Sequence, residues 1–196
     1  MKHLLLIIFL HSLPVFLNAQ DTIQESSSMK SELFLGLGLG LDYGGTLGVN
    51  LTYFPHERVG IFAGVGNAVS AVGYTIGSTY RLLPKKTESK FIPYIEGMYG
   101  FNAAVIIHYK NKKNRQFYGP TIGIGLEYHH HPENLNYWAF DILLPIRSPE
   151  VKEYLDDLKN NQGIIFNHNL SPVLISFGYR HSFNKSRKDH QAVHEI

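Results

Sequence analysis

His129-His130-His131 is the densest run of ligand-type side chains in this 196-residue chain. On an extended backbone consecutive side chains point to opposite faces, so only His129 and His131 share a side. No further histidine or carboxylate follows at ligand spacing, and Glu133 alone does not complete a metal site. With Pro132 next in line, the run reads as a solvated turn. Glu96, Glu127 and Asp141 are carboxylates that acid/base chemistry could use, but packing against charge partners is the simpler reading. His108, Ser148 and His168 are candidate bases and nucleophile, yet no G-x-S-x-G elbow occurs. Gly36-Leu37-Gly38-Leu39-Gly40 is no phosphate cradle, because strict alternation leaves no loop-to-helix turn. Lys110, Lys112, Lys113 and Arg115 make a basic loop that an anionic headgroup could meet. Such runs are more often simply solvated. No catalytic, cofactor-binding or metal-binding residue is assigned from these patterns, and no cofactor is expected.

The elements that carry these residues are more informative. Leu33, Leu35, Leu37, Leu39 and Leu41 alternate with Phe34, Gly36, Gly38, Gly40 and Asp42. A period of two is a strand, and repeated glycine would cost a helix about 1 kcal/mol per position. After an Asp42-Tyr43-Gly44-Gly45 turn the pattern returns with Leu47, Val49, Leu51 and Tyr53 on one face. It returns again at Val59–Val65 and Val72–Leu82. A long strand from about Phe91 to Tyr109 places Ile95, Tyr99, Phe101, Val105 and Ile107 on its apolar side. Tyr118–Tyr128, Trp138–Leu144 and Val173–Phe183 complete about eight strands. Ser148-Pro149-Glu150 starts a helix, with serine as cap and proline in the first turn. Val151, Tyr154, Leu155 and Leu158 continue it to about residue 159, inside the longest loop. With Ile164-Ile165-Phe166 beyond it, a lid over the barrel is the first expectation and a binding loop the second.

Composition fits a closed sheet. Charged residues make up 17% of the chain, low for a water-exposed domain, and there is no cysteine to brace one. A net charge of +2 with no basic stripe gives no support to nucleic-acid binding. Lys2-His3, the apolar stretch Leu4–Leu17 and Asn18-Ala19-Gln20 form a secretory signal pattern with cleavage expected after Ala19. The expected organisation is a signal peptide at 1–19, a flexible periplasmic lead-in at 20–32, a barrel at 33–183 and a polar periplasmic tail at 184–196.

Period two does not say which face looks outward. The non-apolar face is mostly glycine, serine and threonine, a poor water-facing surface and a suitable narrow interior. Its few charges, Asp42, Glu96, Glu127 and Asp141 against Arg81 and Arg180, should pair as carboxylate and guanidinium. The other face is aliphatic, with aromatic residues toward strand ends, as lipid contact requires. The expected fold is therefore all-β, a closed up-and-down antiparallel transmembrane barrel with a short helix in its longest extracellular loop. A soluble lipocalin-like carrier is the alternative if the faces are reversed, and a lumen this narrow disfavours a pore.

The signal ending Asn18-Ala19-Gln20 and the last strand Ser176-Phe177-Gly178-Tyr179-Arg180-His181-Ser182-Phe183 resemble the small outer-membrane β-barrel proteins of Bacteroidota-type bacteria, eight-stranded and OmpA/OmpX-like. The resemblance covers nearly all of the mature chain. It differs in continuing from Asn184 to Ile196 where many such proteins end at the terminal phenylalanine. It implies a monomer in the outer membrane of a Gram-negative cell, handled by the barrel-assembly machinery. Outer-membrane lipid is the expected partner, with lipopolysaccharide as a candidate at the basic loop. A non-enzymatic structural or surface-interaction role is the first expectation. A lipid-modifying enzyme using His108, Ser148 or His168 at the rim is the alternative.

Overall fold

The computed structural model describes residues 31–68, 71–84, 89–105, 114–131, 134–161 and 170–184. The expected signal peptide and most of the lead-in and tail lie outside these residues. So do His108, Lys110, Lys112, Lys113, Glu133, Ile164-Ile165-Phe166 and His168. Eight strands run in chain order, β1 (Glu32–Gly40), β2 (Gly45–Phe54), β3 (Val59–Asn67), β4 (Val72–Arg81), β5 (Phe91–Val105), β6 (Arg115–Tyr128), β7 (Tyr137–Pro145) and β8 (Leu174–Ser182). Each is antiparallel to its sequence neighbour, and β1 pairs β8, so the sheet closes. The seam is extended past the ladder by Asn184, whose Oδ1 accepts from Leu33 N at 2.9 Å and whose Nδ2 donates to Ser31 O at 2.8 Å. Closure removes the unpaired strand edges that an open sheet would leave. One rim, here the terminal rim, carries both chain ends and the β2–β3, β4–β5 and β6–β7 connections. The opposite loop rim carries the rest.

The faces are oriented as the alternation implies. Leu35, Leu37, Leu39, Leu47, Val49 and Leu51 point out, with Leu37 61% exposed. Ile61, Val65, Ile76, Ile122, Ile124 and Ile142 continue this apolar wall around the barrel. Aromatic side chains mark two levels on it. Tyr74, Tyr99 and Tyr118 lie toward the loop rim, with Tyr74 and Tyr118 stacked at 4.7 Å. Tyr53, Tyr80, Phe91, Tyr128, Trp138 and Phe183 lie toward the terminal rim, with Phe91 stacked on Tyr128 at 5.2 Å. Tyr118 and Tyr128 on β6 are separated by about ten residue steps, roughly 33 Å along the strand. At a tilt of ~40° this projects to roughly 25 Å, the height of an apolar barrel band.

Three placements differ from the alternating pattern. Leu41 is buried inside rather than continuing the outward leucine row, because β1 ends at Gly40 and the chain turns inward. Phe101 and Val105, expected on the outer face, are buried. The β5–β6 ladder slips between Phe101 and Ala103, which breaks the alternation from there on. The β5–β6 hairpin also outruns its neighbours: β4 stops pairing at Gly100 and β7 at Thr121.

Helix α1 (Pro149–Asn160) starts at Ser148 with proline in its first turn, as the sequence predicts. It buries Val151 and Leu158 against Ala103, Val105 and Phe117 on the projecting hairpin. Phe117 belongs to the inward-facing row of β6, so the helix lies on the barrel-axis side of the hairpin rather than on the outer wall. Arg115 forms an ion pair with Glu150, and its guanidinium stacks on Phe117 and Tyr154 at 5.0 and 4.9 Å. Arg115 of the basic loop is thus engaged within the chain.

Candidate functional site

The lumen holds the chemistry-bearing residues, and it is organised around the β1–β2 connection. The expected tight turn is instead a 3-10 turn, Leu41–Tyr43, folded into the barrel with all three residues buried. Gly44 closes it at φ 77°, a backbone conformation that glycine adopts without the usual side-chain penalty. The inner-face glycines of the neighbouring strands make room for it. A Cβ at Gly38 would lie 2.5 Å from Tyr43 Cζ, and one at Gly178 would collide with the Tyr43 hydroxyl. The glycine rows therefore serve as the cradle of an inward turn as well as a tightly curved wall.

Polar groups hold this turn in place. Arg180 Nη2 donates to Asp42 Oδ2 at 3.1 Å, with both side chains at most 1% exposed. Ser176 donates to the other Asp42 oxygen, and Asn50 Nδ2 donates to the Asp42 carbonyl at 2.7 Å. Thr52 Oγ1 donates to Asn50 Oδ1 at 2.6 Å. The Arg180 guanidinium also sits 5.8 Å from the Tyr137 ring and 5.9 Å from the Tyr43 ring. A buried ion pair of this kind persists because hydrogen bonds replace the lost water.

A second cluster closes the terminal end. Arg81 Nε donates to Glu127 Oε1 at 2.8 Å, and its guanidinium lies 3.6 Å over the Phe54 ring. Glu127 Oε2 is 3.2 Å from His129 Nε2, whose Nδ1 is 3.1 Å from the Asn134 carbonyl. Phe34, Phe54 and Tyr137 pack edge to face around them. His129 is therefore buried, at 2% exposure, and only His130 and His131 stand in the solvated turn expected for all three. Period two groups His129 with His131, whereas His129 alone is buried and His130 and His131 are both exposed, because β6 ends at Tyr128 and the alternation does not continue into the turn.

The third group departs from the expected pairing. Of the four inner carboxylates only Asp42 and Glu127 meet a guanidinium. Asp141 accepts a hydrogen bond from the Tyr94 hydroxyl, and neither Glu96 oxygen has a partner among the described residues. Arg81 and Arg180 direct their ion pairs to Glu127 and Asp42, and their remaining buried nitrogens, Arg81 Nη2 and Arg180 Nε, do not reach Glu96 or Asp141. Ser148 occupies the N-cap position of α1 without the side-chain capping hydrogen bond that the sequence suggests, and is exposed rather than buried with Glu96, Glu127 and Asp141. Among the described residues no cluster of three histidine, aspartate or glutamate side chains could hold a metal. Tyr43, Tyr94 and Tyr137 are the lumen residues that sequence patterning does not single out. The available signal is an Asp-Tyr-Gly-Gly turn flanked by strands with glycine on the inner face.

These features define a class: a closed eight-stranded up-and-down barrel, apolar outside, with a lumen filled by charged and aromatic side chains. Among solved structures it is similar to the N-terminal β-barrel domain of Pseudomonas aeruginosa OprF, with a TM-score of 0.50 and 14% sequence identity. The match covers 79% of this chain and 98% of that domain. No family model matches the sequence, and neither does any curated protein. The likeness is one of fold.

Proposed function

We propose that this chain is a non-enzymatic outer-membrane β-barrel protein with a structural or surface-interaction role, exported through the signal at 1–19 and working as a monomer. The observation that carries this is the direction of the faces: leucines, isoleucines and aromatic rings outward, arginines and carboxylates inward. In water such an exterior would be a continuous apolar patch far beyond what soluble monomers expose. In a bilayer it is the ordinary arrangement, with aromatic residues near both interfaces. A soluble lipocalin-like carrier would need an apolar cavity within, whereas ion pairs and the 3-10 turn occupy this lumen. The same packing argues against steady conduction. The terminal rim then faces the periplasm, and α1 with the β5–β6 hairpin stands on the outer surface, where a partner or lipopolysaccharide would be met.

Membrane fractionation of a Gram-negative host expressing the full chain tests this. The protein is expected in the outer-membrane fraction, with a mature N-terminus at Gln20 and heat-modifiable electrophoretic mobility. Recovery from the soluble periplasm would overturn it. Altered lipid A or phospholipid profiles on overexpression, abolished by Ser148→Ala, would point to the enzymatic alternative instead.

A further inference from the structure

Glu96 and Asp141 are 5% and 1% exposed, yet both Glu96 oxygens and Asp141 Oδ2 are without a hydrogen-bond partner among the described residues. Carboxylates are among the costliest groups to bury, so a native lumen needs something opposite these oxygens. The two side chains also converge. Glu96 on β5 pairs with Gly123 and Asp141 on β7 pairs with Gly125, so β6 runs between them. Both lean over that strand: a Cβ at Gly123 would lie 3.0 Å from Glu96 Oε1, and one at Gly125 would collide with Asp141 Oδ1. The two glycines thus keep the floor between the carboxylates clear of side chains. Toward the loop rim the next inner residues, Met98 and Leu143, pack with Leu41 into an apolar cap. Toward the terminal rim the Arg81–Glu127 pair closes the lumen.

We propose that Glu96 and Asp141 hold one calcium ion inside the lumen, tying β5 to β7 across β6. The donors are all oxygen, which suits a hard cation and gives zinc or copper no nitrogen or sulfur ligand. Glu96 has both oxygens available for the bidentate contact common in calcium sites. Asp141 offers Oδ2, since its Oδ1 already accepts from Tyr94. The Tyr94 hydroxyl brings a further oxygen to the same place, and water completes the shell. Magnesium demands a near-ideal octahedron, which carboxylates reaching in from either side of a strand are poorly placed to give. A dication also balances the two inner acids that Arg81 and Arg180 do not serve. Two carboxylates are fewer than a three-acid cage supplies, but the apolar cap and the terminal cluster keep competing water out and strengthen each contact. The site needs only the closed barrel, so it stands apart from the membrane reading.

The test uses the full purified chain in mild detergent, its folding checked by heat-modifiable mobility. One sample is refolded with calcium and one with EGTA, and each is gel-filtered into metal-free buffer. Inductively coupled plasma mass spectrometry should find one calcium per chain in the calcium-refolded wild type. Glu96→Gln and Asp141→Asn should lose it, whereas Glu153→Gln, which changes an exposed acid on α1, should keep it. An ion that binds only the folded lumen should also raise the wild-type urea midpoint, by roughly 1 M at ~100 times its dissociation constant. The midpoints of Glu96→Gln and Asp141→Asn should not respond to calcium. Terbium, a calcium mimic, gives a readout that needs no variant: tyrosine excitation should sensitise its luminescence in the folded wild type, and added calcium should abolish the signal. Absence of calcium from the wild type, or equal calcium in wild type and Glu96→Gln, would overturn the assignment. A wild-type midpoint indifferent to calcium would overturn it too, and would mean that protons neutralise the pair.

Discussion

Replacing Asp42 with alanine should be among the most damaging single changes to this barrel. Asp42 and Arg180 are at most 1% exposed and meet at 3.1 Å, so solvent screening does not discount their interaction. Asp42→Ala leaves the guanidinium buried without its carboxylate, and removes one of the two acceptors of the Ser176 hydroxyl, the Leu39 carbonyl being the other. Breaking a buried pair from one side costs about 3–5 kcal/mol, most of it the penalty of the stranded charge. With a central cost of ~4 kcal/mol and a urea slope of ~2 kcal/mol per molar, the unfolding midpoint should fall by about 2 M. Urea titration in short-chain phosphatidylcholine vesicles, followed by Trp138 fluorescence and by heat-modifiable mobility, measures this. Asp42→Leu combined with Arg180→Met should recover most of the loss, because no uncompensated charge then remains. A shift below about 0.5 M for Asp42→Ala, equivalent to roughly 1 kcal/mol, would mean that water reaches the pair. The lumen would then not be the dry, packed interior described above.

Other perturbations separate the remaining forces. Gly178→Ala forces a methyl against the Tyr43 hydroxyl, and should cost about 1–3 kcal/mol by overpacking in the same urea titration. Tyr43→Phe in that background should return part of it. Ile122→Arg, on the mid-height outer wall, should cost about 2–4 kcal/mol and lower the yield of insertion into vesicles. An unchanged yield would contradict lipid contact at that position. Arg115→Ala should change stability by less than about 1 kcal/mol, since the Arg115–Glu150 pair is surface-exposed. Its effect should be read as loosened packing of α1 on Phe117, for example by limited proteolysis of the 146–173 connection.

Much of the barrel was legible in the residues themselves because strand geometry is local. A side chain's face follows from its parity along the strand, so Leu35, Leu37 and Leu39 share a side whatever the rest of the chain does. The number of strands and the Ser148-Pro149 helix start have the same local origin. The outward direction of the leucines followed from which face could tolerate water, a matter of composition. Tertiary structure decided what parity cannot reach. The Asp42-Tyr43-Gly44-Gly45 segment folds inward because glycines on β1, β2, β3, β4 and β8 leave a space that only closure assembles. The slip at Phe101/Ala103 reverses the alternation at the end of β5, since a ladder shift depends on the partner strand. Arg180 finds Asp42, and Arg81 finds Glu127, across separations of 138 and 46 residues. Asp141 takes Tyr94 and Glu96 takes no partner among the described residues, although the four inner carboxylates look alike in the sequence. Strand register and shear set which side chains stand at the same height in the lumen, and those exist only once β1 has met β8.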